Sequence, residues 1–120
     1  MKLALGTVQF GLDYGAFNGS GQVTGEEVSR ILATARAAGI DTLDTARAYG
    51  SSEEVLGLNG AARDFRVVTK VAALEGKQDI AASVTASIQA SLAALRTPVL
   101  DTLLFHSAGD LLGEHGPTAW

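Results

Sequence analysis

Four side chains of different type stand where alternating strands and helices would bring them together: Asp44, Tyr49, Lys70 and His106. Their chemistry is complementary. A tyrosine, with an ordinary pKa near ~10, is a poor acid at neutral pH, but a lysine ammonium within ~4 to 6 Å favours the phenolate. A carboxylate beside that lysine keeps it charged and in place, which is the use Asp44 would have. A histidine orients a bound carbonyl oxygen by donating a hydrogen bond, or passes a proton to the phenol. The set suits protonation of an oxygen that gains negative charge. Each residue also has a plainer reading: a turn cap for Asp44, a solvated strand end for Lys70, ring packing in a loop for Tyr49, and a hydrogen bond to a nearby carbonyl for His106. Four ionisable types at one rim make coincidence a poor account of all four.

The chain between these residues must position them. Leu3 to Val8 is a short apolar run that reads as a buried strand, followed by a glycine-rich loop from Gly11 to Gly25. A helix is predicted next. Thr24 and Glu27 have capping-box spacing, Val28, Ile31, Leu32 and Ala35 recur at i, i+3, i+4 and i+7, and Gly39 stands where a helix closes through a left-handed residue. Ile40 to Asp44 reads as a second strand. Ser51 and Glu54 form a second capping box opening a short helix that Gly57 and Asn59-Gly60 keep brief. Arg66 to Lys70, β-branched and bounded by loops, is a third strand. From Asp79, the positions Ile80, Val84, Ile88, Leu92 and Leu95 form one apolar helical stripe, which Thr97-Pro98 ends. Val99 to Phe105 is a fourth strand. From Ser107 onward, Gly109, Gly113, Gly116 and Pro117 mark a loop whose last residues begin another helix.

Strand starts at Leu3, Ile40, Arg66 and Val99 are three steps of roughly 32 residues on average, close to the ~31 of eight strand-helix units sharing about 250 residues. Strict alternation means parallel strands with right-handed crossovers, either in an open doubly wound sheet or in a closed eight-stranded barrel. Periodicity leaves both open. Gly11, Gly15, Gly19, Gly21 and Gly25 lack Gly-x-Gly-x-x-Gly spacing, which argues against a dinucleotide-binding fingerprint after the first strand. In either architecture the carboxyl ends of all strands face one rim. Asp44 ends strand two, Tyr49 follows it, Lys70 ends strand three and His106 follows strand four, so topology brings them to that rim.

The composition, 47% apolar and 18% charged over 120 residues, is that of a globular protein. Nine basic residues against 13 acidic ones give a net charge of -4 with no basic cluster, the wrong balance for a nucleic-acid binder. The absence of cysteine excludes disulfides, thiolate zinc sites and a cysteine nucleophile, and makes the reducing cytoplasm the default compartment. Gln9 interrupts the apolar start before a signal-peptide core is complete, and no stretch approaches the ~20 apolar residues of a spanning helix, so neither secretion nor membrane insertion is expected. Asp44, Asp101, His106 and His115 lack ligand spacing, so no metal is expected.

The runs Leu5-Gly6-Thr7, Leu43-Asp44-Thr45-Ala46-Arg47-Ala48-Tyr49-Gly50-Ser51-Ser52-Glu53, Val68-Thr69-Lys70 and Leu103-Leu104-Phe105-His106 closely resemble the aldo-keto reductase family. The most specific part is the aspartate followed five residues later by tyrosine, then glycine and a Ser-x-x-Glu helix start. The resemblance covers nearly the whole chain. It implies a (β/α)8 TIM barrel, of which residues 1–120 hold about the first four β/α units as the N-terminal half of a single domain. It also implies NADP(H) bound in extended form without a Rossmann domain. By the same resemblance Tyr49 is the general acid, Lys70 the partner that lowers its pKa, Asp44 the anchor of Lys70, and His106 the orienter of the substrate carbonyl. Gly6, Thr7 and Asp44 would lie near the nicotinamide. The activity implied is reduction of an aldehyde or ketone to an alcohol, with hydride from the nicotinamide.

Family members have about twice this length, and the basic segment that grips the adenosine 2'-phosphate lies in their other half. The small hairpin that often plugs the barrel bottom is absent, and Ser107-Ala108-Gly109 follows His106 where many relatives carry a proline and an acidic residue. Four strands alone would leave two open edges and an uncovered apolar face, so the sequence reads as a C-terminally truncated fragment. Two further readings stand beside the reductase. One is a non-catalytic half-barrel that pairs with another half. The other is Schiff-base chemistry at Lys70, which a close Asp44 disfavours by keeping the amine charged.

Overall fold

Four strands pair in chain order, each parallel to its neighbour, in the computed structural model, which describes residues 2–113 and 116–119. The strands are β1 (Leu5–Gly6), β2 (Thr42–Asp44), β3 (Arg66–Val71) and β4 (Thr102–Phe105). The helices are α1 (Val8–Gly11), α2 (Gly25–Ala37), α3 (Ser52–Leu58), α4 (Ile80–Leu95), α5 (Gly109–Leu112) and α6 (Gly116–Ala119), with a 3-10 turn at Ala61–Arg63 before β3. Gly6, Asp44, Val68 and Thr102 lie side by side in register, and Lys70 lies beside Leu104. His115 lies outside the described residues.

Alternation along the strands divides the sheet into two faces. Leu43 and Val67 point to the helices and join Val28, Leu32, Leu56, Phe65 and Leu95 in the main core. Burial of each large apolar side chain there contributes roughly 1.5–3 kcal/mol. A smaller cluster of Val71, Leu74, Ile80 and Ala119 continues the core towards the carboxyl end of β3. The opposite face carries Asp44, Val68, Lys70 and Leu104, and Leu104 is 43% exposed.

The expected elements are present with shifted bounds. The first strand stops at Gly6 instead of running to Val8, because Thr7 turns the chain: its N–H and its hydroxyl both donate to the Asp44 carbonyl, and its own carbonyl accepts from Phe10 N. Val8, expected to end the strand, instead opens a helical turn, α1, that runs to the start of the expected loop at Gly11. Strand two starts at Thr42, since Ile40 N donates back to Ala35 O in the closure of α2 through Gly39 at φ 78°. Strand four starts at Thr102 instead of Val99 because the Asp101 carboxylate, not a backbone carbonyl, takes the Val67 N–H at 2.9 Å. The helix at Thr24 is capped as expected, its side chain accepting from Glu27 N. The capping box at Ser51 does not form: Ser51 Oγ accepts from Gln22 Nε2 instead, and Glu54 faces Arg47. Asp79 caps α4 through Ala82 N. That helix ends ahead of Thr97-Pro98, at Arg96, which takes the left-handed conformation. Residues 109–112, expected in a loop, form α5, whose Asp110 accepts a hydrogen bond from Leu74 N.

Candidate active site

Asp44 is the last residue of β2, and Lys70 stands two registers further along β3 on the same face. The offset lets the lysine reach back across the strand ends. Lys70 Nζ donates to Asp44 Oδ1 at 2.7 Å and to the Thr45 carbonyl at 2.9 Å. Its ammonium stands 5.1 Å from the centre of the Tyr49 ring. The Tyr49 ring in turn meets His106 edge to face, with ring centres 6.0 Å apart. The four side chains expected to converge do so, although 62 positions separate Asp44 from His106 in the sequence.

The turn that carries Tyr49 is held by backbone. Thr45 N and Arg47 N donate to Val68 O and Lys70 O, prolonging the β2–β3 pairing past the end of β2, and Tyr49 N closes onto Ala46 O. Gly11 and Gly50 allow α1 to lie directly on this turn. A Cβ at Gly11 would stand 1.9 Å from the Tyr49 carbonyl oxygen, and one at Gly50 would stand 2.3 Å from the Gly11 carbonyl oxygen. Under the turn, Ser52 Oγ bonds Thr7 and Thr45, so hydroxyls from just past β1, just past β2 and the start of α3 meet in one buried knot.

Beside Tyr49 and His106 an open cleft of about 370 Å³ is lined also by Val8, Leu12, Tyr14 and Ala48. The sequence reading missed Val8, Leu12 and Tyr14 as lining groups. The signal was that α1 brings this segment onto the rim beside Tyr49. A larger groove, about 580 Å³, lies between α2 and the 3-10 turn on the helix-covered side, where Arg36 pairs with Asp64 and none of the four rim residues takes part. Gly6 is exposed at the rim, with nothing within 4 Å of where a Cβ would be. Thr7 is fully buried and its hydroxyl is engaged by Asp44 and Ser52.

A second charged group, not anticipated from the sequence, lies just beneath. The side chain of Glu53 is wholly buried; Oε1 accepts from Thr69 Oγ1 at 2.5 Å, and Oε2 pairs with Arg47. Burial pulls the Arg47 guanidinium down, but the hydrogen bond and charge of Glu53, with Glu54 adding to them, outweigh it and raise its pKa above the ordinary value. The signal lay in β3: Thr69 occupies the buried register of Val67 and Val71, where a polar group needs a partner.

Residues 2–110 match the Aldo/keto reductase family. The chain belongs to it. Two solved structures from Pseudomonas aeruginosa, both described as aldo-keto reductases, superpose on this reductase-family chain. One is 38% identical with a TM-score of 0.78, covering 96% of this chain and 48% of its own. The other is 37% identical with a TM-score of 0.75, covering 91% and 42%. The oxidoreductase sirO of Leptosphaeria maculans is 34% identical over 89 residues, which are 72% of this chain and 27% of sirO. The parallel sheet thus matches the first units of an aldo/keto reductase (β/α)8 barrel, and the chain spans under half the length of these relatives. Among the described residues no helix is long and apolar enough to cross a membrane, and no three potential metal-ligating side chains come together.

Proposed function

We propose that the protein is an NADP(H)-dependent oxidoreductase that reduces an aldehyde or ketone to an alcohol, with residues 1–120 forming the N-terminal half of a single barrel domain. The observation that carries this reading is the contiguous chain of groups from Asp44 through Lys70 and Tyr49 to His106. The donor set fits the reactive end of a nicotinamide cofactor. A tyrosine and a histidine stand at a cleft whose other walls include the apolar Val8 and Leu12, and the exposed backbone of Gly6 lies in register with Asp44 at the same rim. Gly6, Thr7 and Asp44 would hold the cofactor, Thr7 by bracing the turn from beneath. When bound, the cofactor supplies a hydride to the carbonyl carbon.

The protein supplies the proton. In this reading His106 donates a hydrogen bond to the substrate carbonyl and orients it towards Tyr49. As charge accumulates on the carbonyl oxygen, the Tyr49 hydroxyl gives up its proton to it, and the neighbouring Lys70 ammonium stabilises the phenolate left behind. Asp44 and the Thr45 carbonyl accept from that ammonium and keep it aimed, an environment opposite to the one a Schiff-base lysine needs. A reducing, cytoplasmic setting accords with a chain that has no cysteine.

The test is Tyr49→Phe in the full-length protein, with NADPH consumption followed against a panel of aldehydes and ketones. Turnover is expected to fall by at least ~100-fold, the lower range for a positioned general acid, while NADPH affinity measured by fluorescence stays near that of the wild type. Full turnover in the variant would remove Tyr49 from its role. The exposed Leu103 and Leu104 of β4 favour a second reading, a half-barrel module that pairs with another half. A stable dimer of full-length protein without NADPH binding would select it.

A further inference from the structure

Among the described residues Glu53 is the one charged group fully buried, and the chemistry assigned above makes no use of it. A carboxylate in that position is costly unless both its oxygens are satisfied, and a packed leucine would often serve stability as well. Glu53 is instead held between two elements of the site. Oε1 takes the hydroxyl of Thr69, the peptide neighbour of Lys70, and Oε2 takes the guanidinium of Arg47, two residues ahead of Tyr49. The backbone closes the loop, with Arg47 N donating to Lys70 O at 3.3 Å. Ser52, next to Glu53 in the first turn of α3, ties the same point to Thr7 and Thr45. One rigid side chain thus spans the strand that carries the lysine and the turn that carries the tyrosine.

We propose that Glu53 is a positioning residue: by clamping Thr69 to Arg47 it sets the separation of the Lys70 ammonium from the Tyr49 ring, 5.1 Å, and through it the rate of proton donation. The inference rests on the reading of Tyr49 as the general acid. A clamp that only added stability would leave the folded protein catalytically normal, whereas loss of alignment costs turnover without costing substrate binding.

The experiment uses the full-length protein and NADPH with whichever carbonyl compound the wild type reduces. It compares Glu53→Gln, Thr69→Val, Thr69→Ser and Tyr49→Phe for kcat, KM, the pH–rate profile and thermal midpoint. Glu53→Gln presents an amide N–H to one of its two donors and is expected to lower kcat about 10- to 100-fold, to leave KM within about threefold, and to move the alkaline limb of the profile. Thr69→Val is expected to act in the same direction, and Thr69→Ser, which keeps the hydroxyl, to restore what Thr69→Val loses. If Glu53→Gln does not fold, the Thr69 pair decides. Variants that melt earlier yet keep kcat and the pH profile would overturn the positioning role while Tyr49→Phe remains inactive. Wild-type turnover in Tyr49→Phe would overturn the general-acid reading itself, and this inference with it.

Discussion

The Lys70 ammonium has two acceptors and one aromatic neighbour, and the balance among them shapes the site. Asp44 and the Thr45 carbonyl hold it at 2.7 and 2.9 Å, leaving its field to act on the Tyr49 ring. A cation within ~6 Å of an aromatic ring centre is worth about 0.5–2 kcal/mol, and Asp44 takes up part of that charge. Lys70→Met is therefore expected to slow reduction about 10- to 100-fold. Without the cation the phenolate left by proton transfer loses its nearest positive neighbour. Steady-state kinetics would show the slowing, and turnover equal to that of the wild type would reduce Lys70 to a scaffold residue. The four rim residues were legible from the sequence because parallel topology alone sends strand ends to one side. Glu53 was not, because its partners Arg47 and Thr69 lie 6 and 16 positions away and only the fold joins them. In the sequence Glu53 reads as one more acid at the start of a helix.

At the scale of elements, the strand order and the longer helices followed from periodicity, but the short helices α1 and α5 and the element bounds did not, because side chains took over backbone hydrogen bonds. Thr7 ends β1 and Asp101 delays β4 by accepting or donating where a ladder partner would stand. Short-range apolar pattern cannot reveal such substitutions. The consequence for function is largest at α1. Its last residue, Gly11, touches the backbone of the Tyr49 turn, so its lack of a side chain fixes how closely α1 lies against the site. Gly11→Ala would place a carbon 1.9 Å from the Tyr49 carbonyl oxygen, and neither backbone can absorb that without moving. Overpacking of this kind costs about 1–3 kcal/mol, and a shift of the tyrosine by ~1 Å can cost ~100-fold in rate. The variant is expected to melt several degrees lower and to lose most of its turnover, although no catalytic side chain has changed. Gly19→Ala, where a Cβ meets nothing within 4 Å, supplies the contrast: both quantities should match the wild type.

Over residues 1–120, helices pack against one face of the four-stranded sheet. The chain's radius of gyration of 15.0 Å exceeds the ~14 Å of a compact domain of this length, and β4 ends the sheet with Leu103 and Leu104 at 36% and 43% exposure. An unpaired parallel edge beside apolar side chains invites another strand. Residues 1–120 produced alone are therefore expected to associate at micromolar concentration, which sedimentation velocity would detect. Leu104 makes the prediction two-sided. It lies beside Lys70 on the face away from the helices, which meets solvent in residues 1–120 and becomes the interior of the barrel if further units close the sheet. Leu104→Glu should then have opposite effects in the two contexts. In residues 1–120 a charge at the edge weakens association and leaves the fold intact. In a closed barrel the same carboxylate is buried beside a lysine already engaged by Asp44 and the Thr45 carbonyl, and stability should fall by several kcal/mol. Equal tolerance of Leu104→Glu in both would mean that no closed interior exists over this face, and the half-barrel reading would take precedence over the complete reductase.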